Sequence, residues 1–123
     1  MLPEDDAAVL ASKGIKYQVS KDSGAINLVI SNFPLPQPYI QREVELLIRL
    51  PISYPNARPD MFWTRPDVKL PSGAWPLNAD VKENYVGLPW QRWSRHWTGR
   101  WRPGVDGLKT FLAAIVRELE RGR

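Results

Sequence analysis

Between Pro89 and Pro103 the sequence crowds together most of the groups that could do chemistry. They are Ser94, His96, arginines at 92, 95, 100 and 102, and tryptophans at 90, 93, 97 and 101. His96 is the only histidine and the chain has no cysteine. Disulfides, thiolate metal sites, thiol nucleophiles and multi-histidine metal centres are therefore excluded together. If the Ser94-Arg95-His96 segment is extended, side chains 94 and 96 project to the same side, because side-chain direction along a strand repeats every two residues. A serine needs a positioned base to act as a nucleophile, and His96 is spaced to supply one. Arg92 or Arg95 would then lie near an oxyanion or an incoming carboxylate. A plainer reading stands beside this one: loop serines are commonly turn or cap residues, and a lone histidine is commonly a structural hydrogen-bonder.

The interleaved arginines and tryptophans admit three uses. Basic residues among aromatics bind nucleic acid through phosphates and stacked bases when the rings are free. In a small domain large aromatics are more often buried. Trp63, Trp93, Trp97 and Trp101 are expected to fasten a long loop onto a sheet, with arginines stacked on their exposed faces. Docking of a protein partner ranks next, and nucleic acid last. Asp80 and Glu83 read as solvated loop charges. No metal ligands and no cofactor are expected.

These residues must be positioned by a domain of 123 residues, 43% hydrophobic and 24% charged, with a net charge of +4. That is one soluble globular domain spanning 1–123. Its acidic start, Glu4-Asp5-Asp6, is unlike a secretory signal, and no apolar run approaches the roughly 20 residues of a membrane span. The expected location is cytoplasmic.

Residues 3–12 read as a helix: Pro3 suits the first turn, the acids suit its positive end, and Gly14 follows its finish. Three alternating strands come next. Ile15, Tyr17 and Val19 share a face of the first, Ile26, Leu28 and Ile30 of the second, and Val44, Leu46, Ile48 and Leu50 of the third. Lys21-Asp22-Ser23-Gly24 reads as a hairpin turn, and Pro34, Pro36 and Pro38 stiffen the link from Asn32 to Tyr39. Met61 to Thr64 reads as a short fourth strand. From Arg65 to Val105 prolines and glycines break every candidate element, which leaves a long irregular loop. Asp106 is placed to cap a last helix running to about Glu120, with Leu108, Phe111, Leu112, Ile115, Val116 and Leu119 on its apolar face. The fold class is α+β: a helix, a four-stranded antiparallel meander, a long loop and a closing helix packed on the sheet.

Tyr54-Pro55-Asn56-Ala57-Arg58-Pro59, between the third and fourth strands, resembles the Tyr-Pro-x-x-x-Pro turn of the ubiquitin-conjugating enzyme (UBC) and RWD superfamily. There Pro55 and Pro59 would fix an extended corner and Tyr54 would cover the sheet edge. Trp101-Arg102-Pro103 before an amphipathic helix is similar to the Trp-Ser-Pro segment and following helix of conjugating enzymes. The compact chain, without further C-terminal helices, resembles the bacterial conjugating-enzyme-like branch called prokaryotic family E. Genes of that branch tend to neighbour those for a ubiquitin-like protein, an activating-enzyme-like adenylase and a peptidase, which the resemblance makes the expected partners.

The departures bear on chemistry. The family's acceptor cysteine lies about eight residues before its tryptophan, where this chain offers Ser94 as the nearest nucleophile. The His-Pro-Asn segment has no clear counterpart, and spacing selects neither Asn78 nor Asn84. The resemblance thus implies either a carrier that holds a ubiquitin-like protein on Ser94 as an oxyester, assisted by His96, or a UBC-like binding module without catalysis. Whether Ser94 stands in place of a natural cysteine stays open at this level.

Overall fold

A computed structural model describes residues 2–123. Helix α1 (Glu4–Ser12) is followed by strands β1 (Tyr17–Lys21), β2 (Ala25–Pro34), β3 (Glu43–Pro51), β4 (Phe62–Arg65), β5 (Val81–Tyr85) and β6 (Leu88–Trp93), and by helix α2 (Leu108–Glu120). The strands form one six-stranded antiparallel sheet in the order β1-β2-β3-β4-β6-β5. The expected four-stranded meander is the first part of this sheet. The correction is the β5–β6 hairpin, which lies within the stretch expected to be irregular.

The hairpin turns at Val86 and Gly87, whose φ angles are 54° and 71°. Positive φ at both central residues suits the right-handed twist of a two-residue hairpin. Valine is a poor advertisement for such a turn, because a β-branched side chain resists positive φ. Pro89 sits inside β6 opposite Asn84, next to the closing pair Tyr85↔Leu88. Pairing of β6 with β4 ends at Gln91↔Thr64, so the missing N–H of Pro89 costs no bond on that side.

The two faces of the sheet are covered differently. One face carries Leu28, Ile30, Leu46, Ile48, Phe62 and Trp93 against Leu10 of α1 and Leu108, Phe111, Ile115 and Leu119 of α2. The 3- and 4-residue spacing of the α2 set places it on one side of the helix. The other face holds a smaller cluster of Leu47, Trp63 and Trp90. Its cover comes from β5: the Tyr85 ring meets the Trp63 ring edge-on at 5.5 Å, and Arg49 lies 3.9 Å from the centre of the Tyr85 ring.

A buried carboxylate ties the two helices to the Tyr-Pro corner. The Tyr54 hydroxyl donates to Asp6 Oδ2 at 2.6 Å, and the Leu108 backbone N–H donates to Asp6 Oδ1 at 3.0 Å. Tyr54 is thus an interior anchor. Burial, and then its bond to Asp6, push the phenol far above its ordinary range. The expected cap by Asp106 is replaced: Gly107 is the N-cap of α2, and Asp6 and Thr110 satisfy the free N–H groups there. Asp106 is occupied instead by the Arg102 N–H at 2.8 Å. The Trp101 indole donates to the Pro55 carbonyl at 2.8 Å, so the Tyr-Pro corner and the Trp-Arg-Pro segment form one unit.

Candidate functional site

β6 delivers the candidate residues, and a buried glutamine holds the loops beside it. Gln91 Nε2 donates to the carbonyls of Val68 (3.0 Å) and Ala79 (2.9 Å), and its Oε1 accepts from the Val68 N–H at 2.7 Å. One amide thereby fastens both ends of the β4–β5 connection to the centre of the sheet.

At Ser94 the chain leaves the strand. The Arg95 N–H donates to the Trp93 carbonyl at 2.9 Å, closing a tight turn centred on Ser94, while the Ser94 N–H donates to the Asn78 carbonyl at 2.9 Å. An extended backbone through 94–96 is the premise on which Ser94 and His96 share a side, and the turn removes that premise. The two side chains join separate hydrogen-bonded groups.

The first group is Ser94, Arg92 and Glu83. Arg92 Nε donates to Ser94 Oγ at 2.9 Å, and Arg92 Nη1 donates to Glu83 Oε2 at 3.1 Å. Glu83 Oε1 accepts from the Trp63 indole at 2.9 Å, so Glu83 is a structural acceptor and not the solvated loop charge expected. Ser94 is half-buried. Its oxygen faces a guanidinium, which can donate but cannot accept a proton.

The second group is His96 and Asp60. The His96 Nδ1–H donates to Asp60 Oδ2 at 2.7 Å, and the Trp97 backbone N–H donates to Asp60 Oδ1 at 3.3 Å. A carboxylate only accepts, so Nδ1 carries a proton. The imidazole is 60% exposed. Sequence reasoning missed Asp60, although its place directly after Pro59, at the entry to β4, was a usable signal.

Arg95 goes a third way. Its side chain is only 6% exposed, its Nε and Nη2 donate to the Leu77 carbonyl at 3.1 and 2.9 Å, and Nη2 also donates to the Arg123 carbonyl. The guanidinium lies 4.7 Å from the centre of the Trp93 ring.

Residues 95–99 and α2 enclose a groove of about 390 Å³ whose lining includes Phe62, His96, Phe111, Ile115, Arg117 and Arg121. Of the clustered tryptophans, Trp90 and Trp93 are 1% and 0% exposed. They pack the sheet and are not available to stack on bases, which removes half of the nucleic-acid reading.

A helix, an antiparallel meander with a Tyr-Pro corner and a Trp-x-Pro segment leading into a closing helix define a conjugating-enzyme-like α+β protein. The family model described as prokaryotic E2 family E matches residues 2–122, and the chain belongs to that family. No curated protein and no solved structure matches it. Membership gives the chain a conjugating-enzyme-like role in prokaryotic ubiquitin-like modification, and with it dealings with a ubiquitin-like protein and an activating enzyme in general. No helix among the described residues is long and apolar enough to cross a membrane.

Proposed function

We propose that the chain serves ubiquitin-like modification as a docking component, which binds the ubiquitin-like protein without carrying its acyl group. One observation carries this reading: Ser94 Oγ accepts from Arg92 while the single imidazole is held on Asp60. A serine hydroxyl must pass its proton to a base as it attacks. Arg92 is a donor only and His96 belongs to a different hydrogen-bonded group, so no base is bonded to Ser94, which has the character of a structural hydroxyl. The test is calorimetric titration of the chain with a ubiquitin-like protein from the same genome. Wild type and Ser94→Ala are expected to bind with affinities within about twofold, since a half-buried hydroxyl already bonded to Arg92 contributes a fraction of the 1.4 kcal/mol that makes a tenfold change. No binding by either protein would reject the docking role.

A second reading, the carrier, has its own supporting observation. Arg92 Nε lies 2.9 Å from Ser94 Oγ, where a cation would steady negative charge on that oxygen or on an oxyanion beside it. In that case Ser94 Oγ attacks the activated C-terminal carbonyl presented by the activating enzyme, the bond from that carbonyl to its activating group breaks, the hydroxyl proton passes to solvent, and the product is an oxyester stable to thiols and cleaved by mild alkali. Such an adduct, absent from Ser94→Ala, would establish the carrier.

A further inference from the structure

Among the described residues the sheet has two free edges, β1 and β5. The bonding pattern of β1 is fixed at its two ends. The Ser31 N–H donates to the Lys16 carbonyl and the Asp22 N–H donates to the Ala25 carbonyl, each at 3.0 Å. Both pairs continue the register that sets Tyr17 opposite Ile30 and Lys21 opposite Ile26. In an antiparallel ladder every second residue exchanges bonds with the neighbouring strand. Lys16, Gln18, Ser20 and Asp22 therefore bond towards β2, and Tyr17, Val19 and Lys21 turn their N–H and C=O groups to the open edge. Natural edge strands are commonly blunted by a proline, a bulge or inward charges. β1 contains no proline and pairs with β2 without a register shift.

Another extended strand completes such an edge, and this edge is complementary to itself. A two-fold axis through Val19, perpendicular to the sheet, sets Val19 against Val19 of a second copy and Tyr17 against Lys21. The outward groups of Tyr17, Val19 and Lys21 then bond to one another, and none is left over. The side chains agree with that register. Val19, which packs on the main core, meets another valine on the face covered by the helices. On the same face each Tyr17 ring, 36% exposed, receives the stem and ammonium of a Lys21. On the other face Gln18 falls opposite Ser20. One residue beyond the strand, Lys16 falls opposite Asp22, whose side chain stays 40% exposed although Arg49 bonds to it. Sliding the copies by one two-residue step, either way, loses this pair of opposite charges. The β5 edge lacks this complementarity: the same operation centred on that strand sets Glu83 against Glu83. We propose that two copies of this chain join through β1 as a two-fold dimer with one continuous sheet. The axis keeps each face of the sheet on its own side, so both helix layers lie together. The dimer goes beyond the docking role and does not depend on it.

Sedimentation equilibrium of the full chain across a concentration series is expected to show a monomer–dimer equilibrium. Amide hydrogen exchange at the two ends of the series identifies the surface. The Gln18 and Ser20 amides are expected to be protected at every concentration, and the Tyr17, Val19 and Lys21 amides only where the dimer forms. Val19→Pro removes an outward N–H and none of the bonds to β2, and is expected to abolish the dimer. Lys16→Glu, at an exposed position, sets like charges against Asp22 and is expected to weaken the dimer at least about tenfold. A chain that stays monomeric up to about 0.5 mM overturns the proposal. So does a dimer that leaves the Tyr17, Val19 and Lys21 amides unprotected, or one that persists unchanged in Lys16→Glu or in a folded Val19→Pro. Should Val19→Pro fail to fold, the exchange pattern and Lys16→Glu decide alone. Failure here leaves the docking role standing, because that role is read from a separate titration with the ubiquitin-like protein.

Discussion

The two sides of the turn at Ser94 are built from the same residue types and finished in opposite ways. Upstream, Arg92, Ser94, Glu83 and Trp63 close on one another, and each named donor has an acceptor within 3.1 Å. Downstream, among the described residues, the Trp97 indole N–H is buried without a hydrogen-bond partner beside an open groove, and Arg95 Nη1 has only an ionic contact with Glu118 at 3.6 Å. A closed polar network fixes a scaffold, whereas an incomplete one is stable only where something else can complete it. The catalytic-looking residue of this chain lies in the more completely bonded of the two groups.

Changes to the closed side are therefore expected to cost more stability than changes to the open side. The largest effect is expected at Gln91. It is 0% exposed and spans the Val68 and Ala79 backbones, so Gln91→Ala leaves three buried backbone groups unpaired and should lose about 3–4 kcal/mol in urea denaturation. Asp6→Ala strands the Tyr54 hydroxyl and the Leu108 N–H, and should lose about 2–3 kcal/mol by the same measurement. Glu83→Ala frees Arg92 and the Trp63 indole at a part-exposed site, and about 1 kcal/mol is expected. Arg117→Gln with Arg121→Gln, which removes only the exposed Arg121–Glu118 ion pair, should change stability by less than about 0.5 kcal/mol. A stability loss of the Gln91 size from that pair would break the contrast between the two sides.

The smallest expected effect is on acid stability. Hydrogen bonds from Arg49 and then from the Gly24 N–H hold the Asp22 carboxyl below its ordinary 3.8, and the Arg102 N–H and side chain do the same for Asp106. A depressed carboxyl contributes stability that is fully present above its unfolded value and is lost as pH falls through the folded one. Melting temperature should therefore drop below about pH 4, and less steeply in Asp22→Asn.

Period-two alternation was most telling in β2 and β3, whose Leu28, Ile30, Leu46, Ile48 and Leu50 are buried against the helices, whereas β1 adds only the half-buried Val19 to that core. The β5–β6 hairpin escaped notice because its turn begins with a valine and its second strand contains a proline. The proline is tolerated because β6 reaches past the end of β4, a tertiary fact. The grouping of Ser94, His96 and Asp60 was legible only in part. Spacing of two implies a shared side in a strand, and one tight turn at Ser94 reverses that inference. Asp60 is brought to His96 from 36 residues away by the Tyr-Pro corner, and the spacing within residues 89–103 does not reveal it.

The most direct test is the intact mass of the chain after incubation with activating enzyme, ubiquitin-like protein and ATP, measured with reducing agent present. The docking role predicts an unchanged mass together with a noncovalent complex that forms equally well with Ser94→Ala. A mass increase of one ubiquitin-like protein, cleaved by mild alkali and missing from Ser94→Ala, would contradict it.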